Sequence, residues 1–246
     1  MIQNVNKEKY FHIFAFLGFF FWLFVGSVFF IVPLYVIGPK VSGLPLMEYI
    51  NNLQLVTEHT YIPASLAHIL GIIIFIILYK KAIIDDIINF QNKFLKNVLV
   101  IVVGFVLLYL SNIALQFIYD HFNITDAETS ANQQGIIDAL FGSTRGFVIL
   151  YTVILAPIFE EIVFRKLLFN VFRNNTNLPM WAVVLIVSCL FAGIHVTDVE
   201  SFIFFPQYFV LALIITSAYA FTKENLYVCI GLHFLNNLVS VLEIIL

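Results

Sequence analysis

Long apolar stretches separated by short polar segments dominate this chain of 246 residues. A helix needs about 20 apolar residues to cross a hydrocarbon core ~30 Å thick. By that measure the pattern predicts about seven spans, at 11–37, 61–80, 97–119, 147–169, 179–197, 202–221 and 226–246. Because an isolated spanning segment must satisfy its own backbone hydrogen bonds, we expect an all-α, polytopic membrane helix bundle.

Composition agrees with a membrane protein and excludes some other classes. The chain is 61% hydrophobic and only 11% charged, whereas soluble domains are about a quarter charged. With a net charge of −3 and no basic stripe, nothing points to a nucleic-acid partner. Cys189 and Cys229 have neither metal-ligand nor disulfide-scaffold spacing.

Basic residues are distributed unevenly between the two ends of the predicted spans. With a cytoplasmic N-terminus and seven crossings, ten of the 12 basic residues fall on the cytoplasmic side, and such an excess of Lys and Arg is typical of cytoplasmic loops. The segment 120–145 and the C-terminus are then external. The ten are Lys7, Lys9, Lys80, Lys81, Lys93, Lys96, Arg165, Lys166, Arg173 and Lys223, and the two external ones are Lys40 and Arg145.

Two adjacent carboxylates interrupt the fourth span, in "APIFEEIVFRKLLF" at 156–169. An ionisable side chain at bilayer depth is costly and normally faces the protein interior. Glu161 and Arg165 are four residues apart and share a helix face, so they can form an ion pair. Glu160 points elsewhere and has no partner on its own helix. We therefore interpret Glu160 as the candidate catalytic group and Glu161 as at least equally suited to a structural role.

Further polar residues in the spans can meet Glu160 in a polar cavity. His195 follows Phe191 by four residues, and His233 precedes Asn237 by four. A carboxylate beside an imidazole can deprotonate water, and a second imidazole with an amide can stabilise an oxyanion. Glu160, His195 and His233 could instead hold zinc, although the H-E-x-x-H motif is absent. Both possibilities stay open from the residues alone.

A serine nucleophile is the weaker alternative. Ser65 and His68 are three residues apart in the second span and could touch, but that span has no carboxylate to orient the imidazole. We interpret this pair as interhelical packing.

Together, Glu160-Glu161-x-x-x-Arg165, Phe191-x-x-x-His195 and His233-x-x-x-Asn237 resemble the CPBP family. These are the CAAX prenyl protease and bacteriocin-processing membrane proteins, also called Abi. The resemblance covers about 120–246, which we take as the catalytic core, and leaves 1–119 as variable N-terminal membrane helices.

The resemblance implies a glutamic intramembrane endopeptidase that needs no cofactor, although family members have also been labelled zinc metalloproteases. It implies that Glu160 is the base, assisted by His195, and that His233 and Asn237 form the oxyanion hole. Glu161, Arg165 and Phe191 would support the site.

The resemblance also implies a cellular setting and an alternative. We expect a multi-pass protein of a bacterial plasma membrane, in contact with lipid, that cleaves a peptide or membrane-protein substrate. Peptide maturation, bacteriocin immunity and signalling control are the expected roles. The alternative is a non-catalytic membrane partner of a sensor kinase or a peptide transporter. The intact set of polar residues favours the enzyme.

The charge distribution makes a testable prediction about topology. Reporter fusions after residues 90, 130, 175 and 200 should report cytoplasmic, external, cytoplasmic and external positions. A cytoplasmic signal from the fusion after residue 130 would overturn this orientation.

Overall fold

Helices account for nearly all of the structure. The computed structural model describes residues 2–26, 28–124, 130–196 and 198–246, and contains no strand among them. A short 3₁₀ turn spans Glu200–Phe204. The helices are α1 (Ile2–Val25), α2 (Val28–Ser42), α3 (Leu46–Asn51), α4 (Leu53–Asn92), α5 (Phe94–Phe122), α6 (Ala131–Leu140), α7 (Arg145–Asn175), α8 (Met180–Ile194), α9 (Phe205–Phe221) and α10 (Leu226–Ile245).

Within the described part of the chain, five helical segments are long and apolar enough to cross a membrane, and they match five of the predicted spans. They are α4, α5, α7, α10 and the 3₁₀ turn with α9. The predicted spans 11–37 and 179–197 correspond to shorter apolar helices, Phe11–Val25 and Met180–Ile194. The long first run is divided, because α1 ends at Val25 and α2 begins at Val28. The polytopic helical bundle is confirmed, and the count of seven stays a prediction.

Helix α7 lies at the centre of the bundle. In an apolar stretch of 18 residues in α7, 61% of the residues are buried, whereas 11% are buried in the corresponding stretch of α5. The peripheral helices instead present large apolar side chains outward, such as Leu95 and Ile77, as a helix in contact with lipid does. The central helix is therefore where polar side chains can be shielded from hydrocarbon.

Polar contacts connect α7 to α4 just before its start and in its second half. Near the start of α7, the Ser143 N–H donates to Glu58 Oε2 at 3.0 Å. In its second half, Lys166 Nζ lies 2.7 Å from Asp86 Oδ2. These two contacts set the position of α7 along its axis relative to α4. Asn225, the N-cap of α10, donates to the Asp86 carbonyl at 2.8 Å and brings α10 to the same point.

Close helix packing depends on two glycines. A Cβ atom at Gly71 in α4 would overlap the ring of Phe159 in α7, and one at Gly104 in α5 would lie 2.8 Å from Leu232 Cδ2 in α10. Small residues at such points allow membrane helices to approach closely. Both contacts bring neighbouring helices against the segments that carry the polar motifs.

The N-terminal helices pack against the predicted core. Rings of α1 contact rings of α7, with centroids 6.0 Å apart for Phe19 and Phe159. The division at residue 119 stays a prediction. Some residues used to predict the orientation lie outside what the structure describes: the side chains of Lys7 and Lys9, and residues 125–129 of the predicted external segment.

Candidate active site

A buried ion pair lies next to the candidate base. Arg165 Nε is 3.0 Å from Glu161 Oε2, and both side chains are fully buried, which confirms the predicted pairing. The guanidinium carbon lies 4.5 Å from the centroid of the Phe191 ring, within the range of a cation–π contact. Nη2 donates to the Ala212 carbonyl at 3.5 Å. Arg165 therefore links α7 to α8 and α9.

His233 is held by the second oxygen of the same carboxylate. Its Nδ1 lies 2.8 Å from Glu161 Oε1. An ionised carboxylate only accepts hydrogen bonds, so Nδ1–H is the donor. The other ring nitrogen, Nε2, lies 3.9 Å from Glu160 Oε2. Because both oxygens of Glu161 are engaged by partners, Glu160 is the carboxylate available for chemistry.

His195 also lies close to Glu160. Its Nε2 lies 3.8 Å from Glu160 Oε2, and its Nδ1 donates to the Phe191 carbonyl at 2.8 Å. Helix α8 ends at Ile194, so His195 lies just beyond the helix, although a span to residue 197 was predicted. Its backbone N–H bonds the Ala192 carbonyl. The Phe191 carbonyl, which a continuing α-helix would have used, is thereby left for the imidazole.

Tyr208 also packs against His195, and the sequence analysis did not predict this contact. The imidazole is stacked between the rings of Phe191 and Tyr208, with centroid distances of 4.5 and 4.9 Å. The Tyr208 hydroxyl in turn lies 2.6 Å from Ser130 Oγ. His195 and Tyr208 belong to different elements, so no helical spacing in the sequence could have linked them.

Asn237 is positioned by an irregularity in α7. Its Nδ2 donates to the Thr152 carbonyl at 2.9 Å. Thr152 lies in the first of two π-helical stretches, Leu150–Leu155 and Ile162–Phe169. The Ala156 N–H bonds the Tyr151 carbonyl, and in the same register the next donor would be Pro157, which has no N–H. The Thr152 carbonyl is therefore left for Asn237, whose second amide N–H remains for the cavity.

These side chains meet on one cavity of about 570 Å³, which Glu160, His195, His233 and Asn237 all line. Glu160 is 14% exposed there. The distances from Glu160 to the two imidazoles are too long for direct hydrogen bonds. A water molecule bound beside the carboxylate could contact either ring.

The zinc alternative would need Glu160, His195 and His233 as ligands of one ion. Zinc is held by ligand atoms at about 2.0–2.2 Å. Among the described residues, no group of three His, Cys, Asp or Glu side chains is placed to hold a metal ion.

Ser65 and His68 both turn to the backbone of their own helix. Ser65 Oγ donates to the Tyr61 carbonyl at 2.6 Å, and His68 Nδ1 to the Ala64 carbonyl at 2.9 Å. This geometry agrees with packing and does not make a nucleophile–base pair.

A comparison with known protein families matches the segment that carries these side chains. The model of a family described as type II CAAX prenyl endopeptidase Rce1-like matches residues 142–239, less than half of the chain. The match confirms the resemblance indicated by the three motifs. At the level of the family it supports a CAAX-type intramembrane protease, and with the apolar helices it indicates a multi-pass membrane protein.

A relative and the solved structures add little about function. A protein of Mycoplasma capricolum subsp. capricolum, described only as "Uncharacterized protein", is 32% identical over 163 residues, which cover 63% of this chain and 46% of the relative. The matched part of the chain thus spans about half the length of that relative. No solved structure matches the chain.

The buried ion pair leads to a prediction about stability. Removing one partner leaves an uncompensated buried charge, which typically costs ~3–5 kcal/mol. We expect Glu161→Ala and Arg165→Ala each to lower the thermal midpoint of detergent-purified protein. The double variant should lose less stability than the sum of the two, because both charges are removed together.

Glu160→Gln is the matched control, because it changes the neighbouring carboxylate without breaking the pair. Its thermal midpoint should stay near that of the wild type. Additive losses in the double variant would contradict an energetic coupling between Glu161 and Arg165.

Proposed function

We propose that this protein is an intramembrane endopeptidase that hydrolyses a peptide bond with water activated by Glu160 and His195. The observation that carries the proposal is the convergence of three groups on the cavity. Glu160 Oε2 lies 3.8 and 3.9 Å from Nε2 of His195 and of His233, and a second acceptor fixes each ring through its Nδ1.

The hydrogen bonds of His195 suggest how the water is held. Because Nδ1–H donates to a carbonyl, Nε2 of the neutral ring carries a lone pair. The attacking water directs one hydrogen to this lone pair and the other to Glu160. Glu160 takes the proton as the water oxygen bonds to the substrate carbonyl carbon. It returns the proton to the amine nitrogen as the carbon–nitrogen bond breaks.

His233 and Asn237 are the donors for the oxyanion. Asn237 has an amide N–H beyond the one bound to Thr152. His233 Nδ1–H is committed to Glu161, so its Nε2 donates only when the ring carries both protons. A His233 ring with both protons is cationic, and the carboxylates of Glu160 and Glu161 lie on either side of it. Donors fixed before the reaction stabilise a developing oxyanion without reorganising.

Glu161, Arg165 and Phe191 are positioning residues in this mechanism. Glu161 orients His233 and Arg165. Phe191 supplies the carbonyl that holds His195 and packs its ring against the imidazole. None of the three needs to touch the substrate.

The proposed setting is a bacterial plasma membrane with the N-terminus in the cytoplasm. The substrate is a membrane-associated peptide or protein, and the role is peptide maturation, bacteriocin immunity or signalling control. The support for this setting is the family match and the charge distribution of the sequence.

Replacing Glu160 tests the catalytic proposal. Glu160→Gln preserves shape but cannot take a proton, so cleavage should fall by about 10²–10⁴-fold, the usual contribution of a general base. The measurement is mass spectrometry of new peptide termini in membranes of cells expressing each form at equal abundance. Glu200→Gln, an exposed carboxylate outside the site, is the matched control.

The same comparison separates the enzyme from a regulatory partner. If Glu160→Gln protein produces the same peptide termini as the wild type, the catalytic mechanism is wrong. If no termini depend on the wild-type protein while a cellular effect persists in Glu160→Gln, the non-catalytic partner of a kinase or transporter is favoured.

The metal-free mechanism predicts that purified, active protein holds no stoichiometric zinc and that cleavage survives exhaustive chelation. Elemental analysis of the wild type with His195→Ala and His233→Ala provides the measurement. One zinc per wild-type chain, lost together with activity in both variants, would establish a metalloprotease.

A further inference from the structure

A second cavity of about 470 Å³ is distinct from the one that contains Glu160, and the two share no lining residue. Its walls come from four helices, with Ile87 near the end of α4, Ile101 in α5, Ile154 in α7 and Ile230 in α10. Ile87 and Ile154 are 37% and 41% exposed, so the cavity reaches the outer surface of the described bundle. We call it the outer groove.

Polar side chains line the outer groove at one end only. Among the described residues they are Gln91 at the end of α4 and Tyr227 at the start of α10. The contact between Asn225 and the Asp86 carbonyl holds these two helix ends together. Phe234 lines the groove seven residues after Tyr227, a rise of ~10 Å along α10. A groove of that length fits within one half of a ~30 Å hydrocarbon core.

The apolar lining favours a hydrocarbon chain over a polypeptide. Backbone N–H and C=O groups placed against it would be left without partners, which is costly away from water. An acyl chain has no such groups, and it gains van der Waals contacts with the walls. The groove therefore suits a single acyl chain of one leaflet.

Lys93 lies between α4 and α5, next to the polar end of the outer groove. Its backbone N–H donates to the carbonyl of Phe90, a lining residue, and its Nζ donates to Asn89 Oδ1 at 2.8 Å. That acceptor is neutral, and no carboxylate in the described segments forms an ion pair with Lys93. The positive charge of Lys93 is therefore available to an anion.

Other charges at this end of the bundle are mostly positive. The segments 80–97, 166–175 and 221–226 contain seven Lys and Arg residues against three carboxylates. Positive charge at a membrane surface attracts anionic lipid headgroups. The basic residues are Lys80, Lys81, Lys93, Lys96, Lys166, Arg173 and Lys223, and the acidic ones are Asp85, Asp86 and Glu224.

We propose that the outer groove binds an anionic glycerophospholipid, with one acyl chain between Ile87 and Phe234 and the phosphate beside Lys93. Gln91 and Tyr227 supply hydrogen-bond donors for the ester oxygens of the glycerol. The site is independent of the proposed hydrolysis, because none of its lining residues belongs to the candidate catalytic set.

The test measures lipid binding to detergent-purified, delipidated protein by native mass spectrometry. Phosphatidylglycerol and phosphatidylcholine with identical acyl chains are titrated separately, and the Kd of the first bound lipid is determined. We expect phosphatidylglycerol to bind several-fold more tightly, because the phosphatidylcholine headgroup carries no net charge. Glycerol 3-phosphate, which has the phosphate without the acyl chains, should not displace it.

Two pairs of variants locate the site. Ile87→Trp fills the groove and should weaken the binding of both lipids several-fold. Ile88→Trp, at an exposed neighbour that does not line the groove, should leave both unchanged. Lys93→Gln should reduce the binding of phosphatidylglycerol to the level of phosphatidylcholine. Lys81→Gln, at an exposed lysine of α4 outside the lining, should preserve the preference.

Thermal midpoints measured without lipid check that each variant folds, and Ile101→Trp in α5 repeats the groove-filling test if Ile87→Trp is unstable. Equal binding of the two lipids, equal effects within either pair of variants, or displacement by glycerol 3-phosphate would overturn the inference. Displacement of phosphatidylglycerol by an equal concentration of a long isoprenoid alcohol would also overturn it, because the groove would then select a chain without a charged headgroup.

Discussion

A fully buried ion pair in the central helix constrains the rest of the site. Glu161 and Arg165 have no exposure to solvent, so each charge depends on nearby partners to offset the free energy of removing it from water. The partners come from three other helices: the imidazole of His233, the ring of Phe191 and the Ala212 carbonyl. Satisfying the pair therefore places α8, α9 and α10 around α7, and it also orients one of the candidate catalytic imidazoles.

Two backbone irregularities place the remaining polar groups. The end of α8 releases the Phe191 carbonyl, which then holds His195. The π-helical register before Pro157 leaves the Thr152 carbonyl for Asn237. In both cases a backbone acceptor that a regular helix would occupy binds a side chain that faces the cavity. Buried carbonyls need donors, so the irregularity and the side-chain position stabilise each other.

Sequence patterns were sufficient where the determinant was local. The spacing of four residues predicted the contact of Glu161 with Arg165, and hydropathy predicted the five long spans. Features that depend on packing between helices could not be predicted from the sequence. Tyr208 contacts His195 only because α9 packs beside α8. The break after Val25 lies inside an apolar run that hydropathy alone joins into one span. The two π-helical stretches likewise depend on packing around α7 rather than on a simple period.

The proposed hydrolysis would require water inside a membrane, where the surrounding hydrocarbon excludes it. Hydrocarbon and water meet different surfaces of the protein. Apolar side chains cover the outer surfaces of α4 and α5, while amides line the cavity that contains Glu160. Amides suit this position because they hold water or peptide without introducing a charge that would need its own partner. The floor of the cavity can then keep one carboxylate, Glu160, only partly buried, while its neighbour Glu161 is neutralised beneath it. The adjacent glutamates thus divide two requirements: one stabilises the helix assembly, and the other remains accessible to water.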